Sequence, residues 1–338
     1  MKLNPTRRIA VASVLCLPLA LAACGGDDSS GGGSGSDVTL KLAHSYTEQQ
    51  PQHACGAATI KEEAEGADVG LTVEIYPSSQ LGGDADRIAS VQSGDIDLDI
   101  QGASALAAVH EPVGVLDAAY AFPDAEALDG FMTGDGGSKL KDDFKSASGV
   151  TIVGAWSAGA RQFTANKAIR EPGDLDGLRM RFPGSPQFLL NAKALGAEAT
   201  EVAYEELYLS LQQGVVDGQE NPLTNIDSLN LDEVQKFISL SDHQLNSNLV
   251  IAGPKYDELS DEQKDAITEA VDKAVADMPG CVEEAEKKIL DTFKSEGKTE
   301  VVEDVDRDAF STQADAWFRE NLKGDSLAVY ESIKDSQK

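Results

Sequence analysis

The chain has 338 residues, with 58 Asp plus Glu against 28 Lys plus Arg and a formal net charge of −30. A field of that sign excludes nucleic acid and anionic membrane surfaces as partners of the general surface, and it repels anionic solutes wherever no local site overrides it. The length exceeds what one ordinary core holds, so two domains are the starting expectation.

The N-terminus reads MKLNPTRR, then an apolar run from Ile9 to Ala23. A basic start, an apolar middle and a small-residue end make an export signal, and the run is too short for a mature membrane span. Leu21-Ala22-Ala23-Cys24 resembles the lipobox of bacterial lipoproteins. That resemblance implies cleavage before Cys24 and a diacylglycerol on its thiol; the alternative is an ordinary signal peptide with a chance cysteine. GGDDSSGGGSGS follows, a flexible polar tether. Residues 1–23 thus read as a lipoprotein signal peptide and 24–36 as a tether, with the folded part starting at Asp37. Cleavage removes Lys2, Arg7 and Arg8 and no acid, which takes the net charge from −30 to −33. Beyond Cys24 the mature chain holds Cys55 and Cys281, and outside the cytoplasm an even pair suggests a disulfide. Sequence alone does not bring their Cα atoms within bonding range.

From Val38 strands and helices alternate. VTLKLAHS reads as a strand, and the segment after Pro51 as a helix ending near Gly66. GLTVEIYP is a strand by its period of two, with Leu71, Val73 and Ile75 on one side. A helix over residues 84–92 leads to the short strand IDLDI. VTIVGAW, LRMRF, a helix through FLLNAKAL and another through YEELYLSLQQ continue the series. This is an α/β pattern with largely parallel sheets. After Pro254 the capping box SDEQ opens a long helix, which Pro279-Gly280 should kink or break before EKKILDTF resumes it. The tail from Arg307 reads as helical.

One turn occurs twice. Residues 90–97 read SVQSGDID and residues 210–217 read SLQQGVVD, each a helix end, a left-handed Gly cap and a strand entry closed by Asp. Equivalent placement in two α/β segments argues for two related lobes.

Motifs for catalysis are missing from the sequence: it has no G-x-S-x-G, no G-x-G-x-x-G, no Walker loop and no C-x-x-C. His44, His53, His110 and His243 have no metal-ligand spacing. Asp95, Asp97 and Asp99 alternate, but the Gly and Glu of a calcium loop are missing, so a polar strand face is the expectation. His44 either lines a cleft or is a structural histidine. Arg179, Arg181 and Arg161 stand out in so acidic a chain. Arg179 is expected to pair with a surface acid. Arg181 ends its strand before Pro183-Gly184, where ligand sites form in open α/β sheets. A guanidinium grips a carboxylate through two parallel hydrogen bonds and keeps its charge when partly buried.

The run GARQFTANKAIREPGDLDGLRMRFPGS, then ALGAEATEVAYEELYLSLQQGVVDGQENP and EVQKFISLSDH, together with IYPSSQLGGDADRIASVQSGDIDLDIQG upstream, resembles the solute-binding proteins of TRAP transporters, dicarboxylate-binding (DctP) type. The resemblance covers nearly all of residues 38–300. It implies a two-lobed, periplasmic-binding-protein-like (type II) α/β fold with a hinge and a long late helix bracing the lobes. Lobe 1 is assigned residues 37–158 plus 247–286, and lobe 2 residues 159–246 plus 287–338. By the same resemblance Arg181, in R-F-P, matches the arginine that ion-pairs with the substrate carboxylate, and Arg161, in G-A-R-Q, a second polar contact. Asn221, in Q-E-N-P, matches a hydrogen-bonding asparagine and Tyr204 a cleft aromatic. Ser45 and Gly102 fall where first-lobe residues touch ligand in some members; the sialic-acid-binding branch carries a glutamate at the latter position, which argues against that sugar.

The implied function is that of an extracytoplasmic receptor, not an enzyme. It takes up a small organic acid and passes it to the small and large TRAP membrane subunits. It needs no cofactor and no metal, binds no nucleic acid, acts as a monomer and is held by Cys24 to the outer face of the cell membrane. The alternatives are the binding lipoprotein of an ATP-driven importer, a surface-anchored enzyme on the same scaffold, and a ligand-sensing lipoprotein.

Overall fold

The computed structural model describes residues 37–338; the expected signal peptide, Cys24 and the expected tether lie outside the described residues. Nine strands form one mixed sheet: β1 (Val38–His44), β2 (Leu71–Tyr76), β3 (Leu98–Gly102), β4 (Thr151–Ala165), β5 (Arg179–Phe182), β6 (Glu198–Glu201), β7 (Gly218–Pro222), β8 (Phe237–Ala252) and β9 (Glu300–Val302). Their order is β2-β1-β3-β8-β4-β7-β5-β6, and β9 pairs with β8.

Two long strands organise the sheet. β4 and β8 run antiparallel from Thr151 opposite Ala252 to Ala165 opposite Phe237. One end of β8, residues 248–252, carries β3 and through it the parallel β1 and β2. The far end of β4, residues 161–165, carries β7 and through it the parallel β5 and β6. Each half is thus a small parallel α/β sheet, and both hang on the same antiparallel pair. The β4–β8 register shifts between Ile152 and Gly154, between Ser157 and Ala160, and between Arg161 and Phe163. Gly159 sits inside the second shift with φ +94°, a conformation that favours glycine.

The repeated turn has the same geometry in both halves. Gly94 and Gly214 are left-handed, at φ 84° and 68°. Asp95 N donates to Ser90 O at 2.8 Å, and Val215 N to Ser210 O at 2.9 Å. Asp97 Oδ2 accepts from Lys41 N on β1 at 2.7 Å, as Asp217 Oδ2 does from Arg179 N on β5 at 3.0 Å. The closing Asp therefore ties each helix-to-strand turn to the neighbouring parallel strand.

The helix opened by the Ser260 capping box spans Asp261–Glu296 without interruption. It passes through Pro279, so of the expected kink or break, the break does not occur. Its apolar face (Ile267, Val271, Ala274, Met278) is buried against the helix Ala58–Gly66 and against β4, which carries Trp156, and the Cys55–Cys281 disulfide, with Cα atoms 6.6 Å apart, pins it just beyond the proline. These contacts outweigh the loss of one helical hydrogen bond at Pro279. The same helix packs on the helix Ala58–Gly66 of one half and on Leu223–Ser228 of the other, so it crosses both. The C-terminal helices Arg307–Asn321 and Gly324–Asp335 bury Phe310, Phe318 and Tyr330 in a cluster shared with Phe131, Phe163 and Phe182. No helix of the described residues is long and apolar enough to cross a membrane.

Candidate functional site

A cavity of about 630 Å³ lies between the two halves of the sheet. Its lining includes Ser45 and Gly102 from the first half and Arg161, Arg181, Tyr204 and Asn221 from the second. All six substrate-site candidates therefore face one space.

Arg181 occupies the carboxyl end of β5 and is 2% exposed. Met180 and Phe182 on either side are buried in the core, and they fix the strand that carries it. Its Nε donates to Val202 O at 2.9 Å. Its Nη1 is buried and has no hydrogen-bond partner, and no carboxylate among the described residues forms an ion pair with it. Burial lowers its pKa to about 10, because Glu220 offsets only part of the desolvation and Arg161 adds repulsion. A buried guanidinium with a free nitrogen is costly unless something anionic meets it.

Arg161 is held differently. Its guanidinium contacts Glu220 through Nε, and Nη2 reaches Glu220 Oε1 at 2.8 Å and Asn221 Oδ1 at 3.2 Å. Nη1 donates to Asn246 Oδ1 at 2.8 Å, and the group lies 4.7 Å above the Phe188 ring. Burial raises the Glu220 carboxyl, yet Arg161 and His243 more than offset this and leave it ionised below its usual range. His243, stacked on Phe163 at 4.1 Å, is kept neutral by the same burial. So Arg161 enters the cavity already neutralised, and it holds Asn221 in place. Asn225 Nδ2 donates to Asn221 Oδ1 at 3.1 Å, and Gln50 from the first half donates to Asn225 Oδ1 at 2.8 Å. A chain of amides thereby links the two sides of the cavity to Arg161.

On the opposite wall Ser45 Oγ donates to Asp84 Oδ1 at 3.0 Å. Gly102 ends β3, and a Cβ there would meet nothing within 4 Å, as expected of a residue facing open space. Tyr204 is partly buried, with its hydroxyl 3.5 Å from Ser228 Oγ. Arg179, by contrast, is exposed and pairs with Asp217 at 2.7 Å, away from the site. The alternating aspartates are not a polar face: Asp99 is fully buried and bonded to Arg87 at 3.1 Å. His44, also fully buried, contacts His53 at 3.1 Å, and burial together with His53 lowers its pKa to about 3. Among the described residues no group of side chains could hold a metal ion.

Sequence reasoning missed Glu220, Asp84, Asn225 and Asn246. Glu220 stands beside Asn221 in Q-E-N-P, so its place in the same motif was the one signal that could have found it.

The sequence matches the family model DctP, bacterial extracellular solute-binding protein, family 7, over residues 42–324. The chain belongs to that family. It is 31% identical over 316 residues to a solute-binding protein of Roseobacter denitrificans, covering 93% of this chain and 96% of the relative. The solved structure of that relative as a TRAP periplasmic solute-binding protein, with bound L-galactonate, superposes with a TM-score of 0.81 at 32% identity, covering 89% of this chain and 100% of the other. A TRAP periplasmic solute-binding protein of Bordetella bronchispeptica, with its ligand density interpreted as pantoate, gives 0.81 at 30% identity, covering 89% and 99%. The C4-dicarboxylate-binding periplasmic protein of Rhodobacter capsulatus is 32% identical over 270 residues, 78% of this chain and 79% of the relative. The DctP-family chain is therefore an extracytoplasmic solute receptor and not an enzyme, with the two-lobed α/β fold of TRAP binding proteins.

Proposed function

We propose that this receptor captures a small organic acid between its halves and delivers it to the small and large membrane subunits of a TRAP transporter. The observation that carries the reading is Arg181: a buried guanidinium at a strand end, facing the cavity, with Nη1 unpartnered and no direct ion pair among the described residues. A ligand carboxylate satisfies it through two parallel hydrogen bonds. Arg161 and Asn221 supply further polar contacts from the same half, Tyr204 packs on the carbon skeleton, and Ser45 and Gly102 border the ligand from the other half. The relatives with L-galactonate and pantoate support an acid as the ligand class.

In this reading the halves are residues 37–158 plus 247–286 and 159–246 plus 287–338, and they close on the ligand by bending of β4 and β8 near Gly159. Ligand contacts to both halves favour the closed form and shift the equilibrium toward it. The receptor acts as a monomer, and a lipid on Cys24 holds it at the outer face of the cell membrane. A thermal-shift screen of the mature protein against a carboxylate library tests the reading, since a ligand that binds the native state raises Tm. At least one small organic acid should do so; a screen in which only neutral sugars or cations stabilise the protein contradicts it.

A further inference from the structure

The charges around the cavity constrain the far end of the ligand. Five carboxylates line it (Asp84, Asp86, Asp117, Glu201 and Glu205) against two arginines and no lysine. Arg161 is neutralised by Glu220. Asp117 is saturated by Ser104 N, Ser104 Oγ and Ser247 N, at 2.8, 2.8 and 2.7 Å. Asp86, Glu201 and Glu205 are exposed and Asp84 faces Arg181 from the other half, so apart from the two arginines every charged residue of the lining is acidic.

Asp84 begins the helix Asp84–Ser93, and its side chain is 53% exposed. Its Oδ1 accepts from Ser45 Oγ and from Arg87 Nη2, both at 3.0 Å. Arg87 offsets its charge only in part, because that buried guanidinium is shared with Asp99 through Nε at 3.1 Å. Oδ2 of Asp84 accepts no hydrogen bond among the described residues. The first-half wall therefore offers an anionic acceptor where a second ligand carboxylate would need a cation. Like charges brought together in a partly desolvated site repel strongly, whereas a hydroxyl donates to such an oxygen.

Building on the receptor reading, we propose that the site selects acids with a single carboxylate, bound at Arg181, and hydroxyl donors at the other end, and that Asp84 is the residue that turns dicarboxylates away. The matched test changes only the far end of the ligand. D-Erythronate and meso-tartrate differ by a terminal hydroxymethyl against a carboxylate, and L-galactonate and galactarate form the same pair with two more carbons. Calorimetry on the mature protein should show the monocarboxylate binding at least tenfold more tightly than its partner in one pair or both. Asp84→Asn should narrow that gap by roughly tenfold, chiefly by tightening the dicarboxylate. The substitution keeps the Ser45 and Arg87 acceptor and sits at an exposed helix start, and equal Tm values for the two proteins verify the fold.

Binding of the dicarboxylate as tightly as the monocarboxylate by the native protein overturns the inference. So does a gap that Asp84→Asn leaves unchanged. If none of the four acids binds, the inference also falls, while the receptor reading is decided separately by the wider carboxylate screen.

Discussion

At the scale of single residues, the two cavity arginines are opposites in their internal partnerships. Arg161 belongs to a buried Arg161–Glu220–His243 cluster in which every charge has a partner. Removing one member leaves the other charge uncompensated in a poor solvent. Glu220→Gln should therefore lower unfolding free energy by roughly 3–5 kcal/mol, read from urea melts, even though residue 220 is buried behind the cavity wall. A loss below about 1 kcal/mol would mean the pair is not a structural anchor. Glu286 shows the reverse case. Its Oε1 is buried without a partner against the backbone of Gly159, and burial, with Asp242 nearby, raises its pKa to about 8. A carboxyl with a raised folded pKa stabilises most fully below its ordinary value of 4.5 and loses that contribution as pH rises through about 8. Glu286→Gln should match the native protein near pH 4.5 and exceed it by roughly 4 kcal/mol at pH 8. Parallel pH–stability curves for the two proteins would contradict this.

At the scale of elements, most of the pattern was legible. Strand-like runs marked β1, β2 and β5, with a clear period of two in β2, and the capping box marked the start of the long helix, because local geometry sets those signals. Two features were not. The 16 residues of β8 alternate poorly, since Asn246, Ser247 and Asn248 are buried polar residues bonded to both neighbouring strands and to Tyr46. Pro279 also misled: a proline's local penalty is readable from sequence, but the packing and the disulfide that hold the helix through it are long-range. Cys55 and Cys281 are 226 residues apart, and their bond joins the segment Gln52–Ala57 to that helix. Replacing both by serine should cost roughly 2–5 kcal/mol of stability. Equal denaturant midpoints for the oxidised protein and the double variant would show that the bond contributes nothing.

At the scale of the whole molecule, the acidic field and the buried guanidinium have separate ranges. Salt screens the net charge beyond roughly 8 Å at physiological ionic strength, while Arg181, enclosed in the cavity, is screened far less. A strongly acidic receptor can therefore hold an acid, provided the site is local and dry. The candidate site was legible where a motif carried it: Arg161, Arg181, Tyr204 and Asn221, which line the cavity, come from contiguous family runs. On the opposing wall Ser45 and Gly102 were named by the same resemblance but Asp84 was not, and the Gln50–Asn225 bond forms only when β4 and β8 bring the halves together. The central claim is that Arg181 supplies the fork for the ligand carboxylate. Titration calorimetry of the best-binding acid against the native protein, Arg181→Ala and Arg181→Lys tests it most directly. The account predicts a loss of roughly 2–5 kcal/mol for Arg181→Ala and little recovery with the lysine, whose point charge lacks the fork. Unchanged affinity in Arg181→Ala would contradict it.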